Sequence, residues 1–378
     1  MIYLDNAATT RICAKSLEAI NKFYDINYFN PSAVYKGAIE VKNAIEIARE
    51  QVAKLLYVDR ENIFFTSGGT EGDNLAILGT CQNKAIGKIL CSSCEHPAVY
   101  NTVTNLKDKG FDVDYIPCKS NGTVDIEAFE KLISTEKVGF VSIMHVNNET
   151  GGTNDIVKLS KLLHEKHPQA IFHSDGVQAY GKVLVNLKNS DVDLYSFSAH
   201  KINGAKGVGG IYVKNKNKLK PIHFGGQQEK GMRSGTENTA GIVAFGEAAV
   251  FWKENGKTLI KNFFDFRNIV IEKLKELDGI TYNTQFDISS PHILSLNIDG
   301  IKGEVLLHML EAEEIYIGRG SACSTKETAP RALKALNVSG EGTIRISFGM
   351  FNTSAEINVF SETLVHCILE LRAKMAKR

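Results

Sequence analysis

The sequence predicts an α/β protein, with a large domain built on a mainly parallel seven-stranded sheet and a smaller α+β domain. Over about the first 250 residues, short apolar runs bounded by turn residues alternate with amphipathic stretches of helical period. This alternation is typical of a parallel sheet that helices cover on both faces. Beyond it the regular alternation stops, and a length of 378 residues is enough for about two domains.

The apolar runs give the elements of the large domain in order. Seven of them predict the strands of the sheet: 62–66, 88–92, 113–117, 140–146, 170–174, 194–198 and 208–213. The amphipathic stretches between them predict helices: 36–56, 71–80, 97–109, 126–134 and 155–166. A last helix is predicted over 239–254, ending before Asn255-Gly256.

The remainder predicts the smaller domain. A helix is followed by a strand near 293–298, a helix near 303–311, a loop and a strand over 343–348. We expect the N-terminal strand to join this part. The predicted division is therefore 12–255 for the large domain, and 1–11 with 256–378 for the small one.

Composition and charge narrow the class of protein. The chain is 43% hydrophobic and carries 44 basic against 43 acidic side chains, a formal charge of +1, which argues against nucleic acid or an anionic membrane as the main partner. No apolar run approaches the roughly 20 residues that span a bilayer. The first residues lack the pattern of a secretory or transit segment, so we expect a cytoplasmic protein.

The seven cysteines are odd in number and scattered, which argues against a disulfide scaffold and leaves room for one working thiol. Cys91-x-x-Cys94 has no second pair at zinc spacing, and His164-x-x-His167 lacks further ligands. We therefore expect neither pair to hold a metal, and no redox role for Cys91 and Cys94.

The most informative segment is Ser198-Ala-His200-Lys201, at the end of a predicted strand and before a glycine-rich turn. A lysine held there suits Schiff-base chemistry, although a single lysine at a strand end is more often simply solvated. The segment Thr66-Ser-Gly-Gly69-Thr70 joins a strand to a helix, whose free N–H groups suit a phosphate. It is neither a Walker motif nor a dinucleotide fingerprint.

Three more polar clusters end predicted strands. Asp175 and Gln178 offer a carboxylate and an amide, two of the groups that pyridoxal phosphate (PLP) requires around its ring. His96 precedes a helix, where it could stack on a flat cofactor, and Asn148 follows another strand. Ligands gather outside the carboxyl ends of the strands in open α/β sheets, so these clusters are predicted to converge on one crevice.

Taken in order, these segments resemble the cysteine desulfurases of the class V aminotransferase family, the NifS-like group. The resemblance runs nearly end to end. It includes Tyr3-Leu-Asp-Asn-Ala-Ala, Thr66–Glu71, Glu95-His96, His145–Glu149, Asp175–Gln178, Ser198–Lys201, Gly231–Asn238, Gly320–Cys323 and Ile344–Ser347. It implies a PLP-dependent transferase of fold type I that converts L-cysteine to L-alanine.

The resemblance also implies residue roles. Lys201 would carry PLP, Gly69, Thr70, Ser198 and His200 would hold its phosphate, and Thr236 would reach the phosphate of the neighbouring subunit in a homodimer. Asp175 would pair with the ring nitrogen, Gln178 with the ring hydroxyl, His96 would stack and shuttle protons, and Asn148 would fix cofactor or substrate. Lys201, Cys323 and His96 would be the catalytic residues.

Two side chains would complete the chemistry. Cys323, among small residues typical of a mobile loop, would attack the substrate sulfur and hold it as a persulfide. Arg345, on a strand pattern, would grip the substrate carboxylate, as a guanidinium does with two hydrogen bonds. We expect no resident metal, apart from a transient iron–sulfur contact at Cys323.

The physiological partner stays open. The resemblance implies an iron–sulfur scaffold or a tRNA-thiolation protein as the sulfur acceptor. The loop resembles the NifS-like branch, and fewer residues than in housekeeping members follow Phe351-Asn-Thr353, which argues against the scaffold and leaves a tRNA-thiolation protein or a dedicated acceptor. The alternatives to a desulfurase are selenocysteine lyase, another class V aminotransferase, and a non-catalytic sulfur-transfer partner. An aminotransferase has no need of Cys323, and a non-catalytic relative would have lost part of the Lys201, Asp175, His96 and Cys323 set.

Overall fold

The structure is a computed structural model that describes residues 1–135, 137–318, 331–336, 338 and 341–376. The described residues form twelve strands: β1 Ile2–Leu4, β2 Ile63–Thr66, β3 Lys88–Ser92, β4 Val113–Ile116, β5 Val138–Ser142, β6 Ile171–Asp175, β7 Leu194–Ser198, β8 Gly209–Val213, β9 Ile280–Tyr282, β10 Ile293–Ile298, β11 Ile315–Ile317 and β12 Thr343–Ser347.

They also form ten helices, two of which, α7 and α10, are much longer than the average helix of about 12 residues. The helices are α1 Ala14–Asp25, α2 Lys36–Lys54, α3 Gly69–Thr80, α4 Pro97–Asp108, α5 Ile126–Thr135, α6 Ile156–Lys166, α7 Thr239–Leu274, α8 Gly303–Ala312, α9 Arg331–Ala335 and α10 Ser354–Ala376. None of the helices in the described part of the chain is long and apolar enough to cross a membrane.

The large sheet has seven strands in the order β2-β8-β7-β6-β5-β3-β4. Five of them, β4, β3, β5, β6 and β7, run parallel, while β8 lies antiparallel between β7 and β2. The predicted mainly parallel seven-stranded sheet is confirmed.

Both faces of this sheet are buried, which explains why its strands are continuous apolar runs. Successive residues of a strand point to opposite faces. Phe64 and Ile89 accordingly pack in one core cluster with α3 and α4, while Phe65 and Leu90 pack in another with α2, α6 and α7. A sheet covered on both faces leaves its strand ends as the places where polar side chains gather.

The N-terminal strand lies with the C-terminal part of the chain. Strand β1 pairs in parallel with β11, and an isolated bridge joins Asp5 to Ser347 at the end of β12. Strands β12, β10 and β9 form a separate antiparallel sheet. The segment that follows β1 thereby passes from this small sheet to the strand ends of the large sheet, where Ala7 and Ala8 contact Lys201 after β7.

Most predicted elements agree with the structure to within two residues at each end, and two differ by more. Strand β5 covers 138–142 rather than 140–146, and it includes Gly139, where a Cβ would lie 1.8 Å from the Ile86 carbonyl oxygen. The prediction that the helix ends at 254 is wrong, because α7 continues through Gly256 to Leu274. Gly256 is buried within the helix, and a Cβ there would be at ordinary van der Waals distance from the Trp252 ring, at 3.5 Å.

Candidate active site

The carboxyl ends of the parallel strands border a cavity of about 260 Å³. This volume is near the lower end of the roughly 300–1,000 Å³ that is usual for small-molecule sites. Nine of the predicted site residues line it: Gly69, Thr70, His96, Asn148, Asp175, Gln178, Ser198, His200 and Lys201. The five polar clusters that the sequence placed on separate strand ends therefore meet in one crevice.

Lys201 enters the cavity from the short helical turn that follows β7. Its Nζ donates hydrogen bonds to the backbone oxygens of Ala7, at 2.6 Å, and Ala8, at 2.7 Å. Burial and the nearby Arg345 guanidinium lower the pKa of Lys201 to about 8. An amine with such a pKa exchanges a proton readily near neutral pH, as a general base or a nucleophile must.

Asp175 is the last residue of β6 and is 6% exposed. Its Oδ1 accepts a hydrogen bond from the Val177 backbone nitrogen at 2.9 Å. Burial raises the pKa of Asp175, and the positive charges of His96 and Lys201 oppose that rise. A further cation against this carboxylate would stabilise its ionised form.

His96 caps the first turn of α4, where its Nδ1 accepts a hydrogen bond from the Ala98 backbone nitrogen at 3.2 Å. In the neutral ring this contact assigns the proton to Nε2, which leaves Nε2 as a donor. The next residue, Pro97, suits the first position of the helix because proline has no N–H to satisfy. The helix start thus fixes the tautomer of the imidazole.

Gln178 and His200 add polar side chains to the lining of the cavity. Gln178 is buried, donates from Nε2 to the Ala7 backbone oxygen at 2.8 Å, and has Oε1 3.4 Å from Nε2 of His292. His200 Nδ1 lies 3.1 Å from the Thr9 hydroxyl, and burial with Lys201 close by lowers the pKa of His200 to about 3. A neutral His200 offers a hydrogen bond without adding charge.

Helix α3 begins at Gly69 on the border of the cavity. The first backbone N–H groups of a helix have no partner within it and attract anions. A Cβ at Gly69 would lie 2.5 Å from the Val177 side chain, so only glycine allows the helix to start this close to the loop after β6. Thr70 and Ser198 add hydroxyl groups to the same border.

These groups fit PLP on chemistry that the structure itself supplies. The site offers an amine for the aldehyde, a buried carboxylate for the ring nitrogen and a helix N-terminus with hydroxyls for the phosphate. Asp175 in particular is a buried acid whose charge a protonated ring nitrogen would balance. No group of three or more His, Cys, Asp or Glu residues in the described ranges is arranged to hold a metal ion.

Two predicted residues, Arg345 and Thr236, do not line the cavity, and a third is outside the described residues. Arg345 borders the site from β12, where its guanidinium donates to the Asn148 backbone oxygen at 2.8 Å and to Asp5 Oδ1 at 2.9 Å. Thr236 is exposed and lines a separate cavity of about 100 Å³. Cys323 lies outside the described residues.

The structure adds residues that the sequence argument missed. The carbonyl groups of Ala7 and Ala8 hold Lys201 and Gln178, although the segment belongs to the far N-terminus. Asp73 also lines the cavity, one helical turn after Thr70, and its burial, with Asp175 nearby, raises its pKa well above the ordinary value. The available signal for Asp73 was its spacing of three residues from Thr70 at the start of the helix, because such residues share a helix face, but the predicted helix began only at residue 71.

Comparison with known proteins supplies the family. The model of the class-V aminotransferases matches residues 2–360. The chain belongs to the class-V aminotransferase family. Enzymes of this family use PLP, in agreement with the chemistry of the cavity.

Individual family members are similar over nearly the whole chain. A Clostridium botulinum protein named cysteine desulfurase IscS is 37% identical, covering 98% of this chain and 95% of that protein. The Bacillus subtilis protein named putative cysteine desulfurase IscS 1 is 34% identical, covering 98% and 99%.

Solved structures of the class-V aminotransferase fold agree. A NifS-like protein superposes with a TM-score of 0.91 at 35% identity, covering 98% of this chain and 99% of that one. A structure described as SspA in complex with cysteine has a TM-score of 0.81 at 28% identity, covering 93% and 100%. The predicted fold and the predicted family are both confirmed.

Proposed function

We propose that this protein is a PLP-dependent cysteine desulfurase. It takes L-cysteine, releases L-alanine and keeps the sulfur on Cys323 as a persulfide. The observation that carries the proposal is the meeting of Lys201, Asp175 and His96 in one cavity. The names of the relatives at 34–37% identity and a neighbour described with bound cysteine support the same activity.

PLP, when bound, withdraws electrons from the amino-acid α-carbon, and the side chains of this chain would then direct the reaction. Lys201 holds the cofactor, and its amine moves the α-proton once it is free, a task suited to a pKa of about 8. Asp175 keeps the ring nitrogen protonated. Nε2 of His96 carries the proton that this ring can deliver to the substrate.

The positions around the cavity suggest the remaining roles. Gly69, Thr70, Ser198 and His200 would hold the phosphate, and Gln178 the ring hydroxyl. Arg345 would bind the substrate carboxylate with Asn148 beside it, since its guanidinium already contacts the Asn148 backbone. The Cys323 thiolate would attack the substrate sulfur, and the carbon–sulfur bond would break with its electron pair left on the amino-acid side. The β-carbon would then take up a proton and become the methyl group of alanine.

We further propose a homodimer in which Thr236 completes the phosphate site of the partner. Thr236 is exposed and is absent from the border of the cavity that contains Lys201 in its own subunit. Large apolar side chains around the start of α2 are also exposed, including Tyr28 at 68% and Val34 at 90%. Apolar side chains grouped in this way favour a protein interface.

We place the enzyme in the cytoplasm, where a reducing environment preserves a persulfide-carrying thiol. The acceptor of the sulfur is a protein, either an iron–sulfur scaffold or a tRNA-thiolation protein. The nearly balanced charge of the chain suits local docking to such a protein better than binding to nucleic acid. The proposed domain division is 1–11 with 256–378 against 12–255, and helix α7 crosses it.

The deciding experiment is an absorbance spectrum of the purified protein before and after L-cysteine, followed by assays for alanine and sulfide. We expect a visible cofactor band that changes on addition of L-cysteine, with alanine and sulfide in equal amounts when a thiol reductant is present. A keto acid instead of sulfide would indicate an aminotransferase. A strong preference for L-selenocysteine would indicate a selenocysteine lyase.

Two variants separate the roles. Lys201→Ala should lose the visible band, whereas Lys161→Ala, an exposed lysine on α6, should keep it. Cys323→Ser should bind PLP and L-cysteine but form no persulfide, whereas Cys81→Ser should form it normally. Retention of the band in Lys201→Ala, or of persulfide in Cys323→Ser, would contradict the assigned role.

A further inference from the structure

Two cysteines outside the proposed chemistry lie side by side near the site. Strands β3 and β4 are parallel neighbours, and their register pairs Ser92 with Ile116. Cys94 and Cys118 each lie two residues beyond that pair, and their Sγ atoms are 2.7 Å apart. Cys94 is fully buried, whereas Cys118 is partly exposed.

We propose that Cys94 and Cys118 are a redox modification site and form a reversible intramolecular disulfide. Adjacent strands are about 4.8 Å apart, and disulfides need Cα atoms about 4.4–6.8 Å apart, so the strand ends already have suitable spacing. Shortening the sulfur–sulfur distance from 2.7 Å to about 2.05 Å requires little movement. The sequence pattern predicted no redox role for Cys94, because it suggests only Cys91 as a partner and not Cys118.

The two thiols differ in reactivity, and this difference determines which of them reacts first with an oxidant. The hydrogen bond that Cys94 donates lowers the pKa of the Cys118 thiol to about 7. The same contact, together with burial, raises the pKa of Cys94 well above its usual value. Cys118 is therefore the thiolate that meets an oxidant from solvent, and Cys94 is the resolving thiol.

A small disulfide such as oxidised glutathione can serve as the oxidant, and the exchange balances. The Cys118 thiolate attacks one sulfur of the oxidant, forms a mixed disulfide and releases one glutathione thiolate. Cys94 then attacks the Cys118 sulfur, forms the protein disulfide and releases the second glutathione. The two cysteines lose two electrons and two protons, and the oxidant becomes two glutathione thiols.

The location ties this bond to the segment that carries His96. Cys94 lies in the turn between β3 and α4, and its Sγ also contacts the Gly122 backbone oxygen at 3.5 Å. A Cβ at Gly122 would lie 2.8 Å from Asn147, so the Cys118–Gly122 loop packs directly on the residue before Asn148. Oxidation therefore joins the turn that carries His96, which lines the cavity, to the loop that packs on Asn147. The formation of the bond is independent of the reaction that the cavity performs.

The test exposes the purified PLP-loaded protein to oxidised glutathione, alkylates the remaining thiols and maps the peptides by mass spectrometry. We expect a peptide pair linked through Cys94 and Cys118, two hydrogen atoms lighter than the reduced pair and separated again by dithiothreitol. Both residues recovered in alkylated form would overturn the proposal, as would a link from either one to Cys91 or Cys323.

Single variants test the order of attack. In Cys94→Ser, Cys118 should accumulate as a stable mixed disulfide with glutathione. In Cys118→Ser, Cys94 should stay reduced, because it is buried and its neighbour no longer captures the oxidant. The control Cys91→Ser, in the same strand, should still form the Cys94–Cys118 link. Glutathione found on Cys94 in Cys118→Ser would contradict Cys118 as the attacking thiol.

Discussion

Lys182 is a buried lysine whose Nζ has no hydrogen-bond partner among the described residues. It follows Gly181 in the loop after β6, and its charge reaches His200 and His292 as well as Lys201. Burial, and then the nearby Lys201, lower the pKa of Lys182 from 10.5 to about 7. Burial of such a lysine lowers the stability of the folded protein at every pH where the lysine is protonated in the unfolded chain.

The first prediction concerns Lys182→Met and its dependence on pH. Between pH 7 and 10.5 the unfolded chain binds a proton that the folded chain lacks, so stability rises with pH. The loss of folding stability caused by burying Lys182 has its full value below pH 7 and disappears above pH 10.5. Lys182→Met should therefore raise the free energy of unfolding at pH 7 by a few kcal/mol, and this gain should shrink by about 1.4 kcal/mol per pH unit towards pH 10.

Urea denaturation at several pH values measures this gain. The control Lys188→Met removes an exposed lysine that pairs with Asp59, and it should change the free energy by less than about 0.5 kcal/mol at every pH. A gain for Lys182→Met that is independent of pH would show that Lys182 does not titrate in this range.

At the level of single residues, the sequence predicted the side chains at strand ends and missed those held by distant segments. Asp175 and Lys201 were predictable because each follows a recognisable apolar strand, and parallel strands end at one edge. The contact of Lys201 with Ala7 was not predictable, because it depends on where the N-terminal segment crosses the sheet. The pairing of Cys94 with Cys118 was missed for the same reason, because it depends on strand order and register.

At the level of elements, a buried ion pair ties α2 to the segment that precedes Thr236. Arg49 donates from Nη1 to Glu229 Oε2 at 2.6 Å and from Nη2 to Oε1 at 2.8 Å. The same carboxylate accepts a hydrogen bond from the backbone nitrogen of Phe65 in β2. Glu229 has a φ of 47°, in the left-handed region, so these contacts hold a strained backbone in place.

The second prediction is that Glu229→Ala lowers the free energy of unfolding by about 3 kcal/mol, because the buried Arg49 guanidinium loses two hydrogen bonds and keeps only Glu46 as an ionic partner. Chemical denaturation at neutral pH gives the value. Glu61→Ala is the matched control, since it removes the exposed partner of Lys230, and it should cost less than about 1 kcal/mol. Equal losses of the free energy of unfolding in the two variants would mean that the buried Arg49–Glu229 pair stabilises the fold no more than an exposed pair does.

Element types were predictable and two element ends were not. The strands β3 and β7 begin and end as predicted, because alternation and turn residues bound them clearly. Asn255-Gly256 has the composition of a helix end, yet α7 continues because Phe263 and Phe266 beyond it are buried in the core. Tertiary packing overrides local propensity there.

At the scale of the whole molecule, the proposed dimer predicts a specific pattern of complementation. Mixing Lys201→Ala with Thr236→Val subunits gives heterodimers in which one site has both Lys201 and a neighbouring Thr236. Random mixing makes about half of the dimers heterodimers. We therefore expect activity near one quarter of the wild-type value, above that of either variant alone.

The measurement requires dissociation and reassociation of the mixed subunits, followed by the sulfide assay and by light scattering to establish the dimer. Lys161→Ala mixed with Lys201→Ala serves as the control for reassociation. If Thr236 acts within its own subunit, the Lys201→Ala and Thr236→Val mixture gains no activity over the Thr236→Val protein.

Helix α7 has a mechanical consequence for the molecule. Its 36 residues extend about 54 Å at 1.5 Å per residue. It starts three residues after Thr236, packs along α1 and α2, and reaches α10. An unbroken helix is a stiff rod, so the domain boundary proposed at residue 255 contains no hinge. A motion of the proposed small domain would therefore bend the chain elsewhere, and the crossing after β1, where Ala7 and Ala8 hold Lys201, would transmit it to the amine.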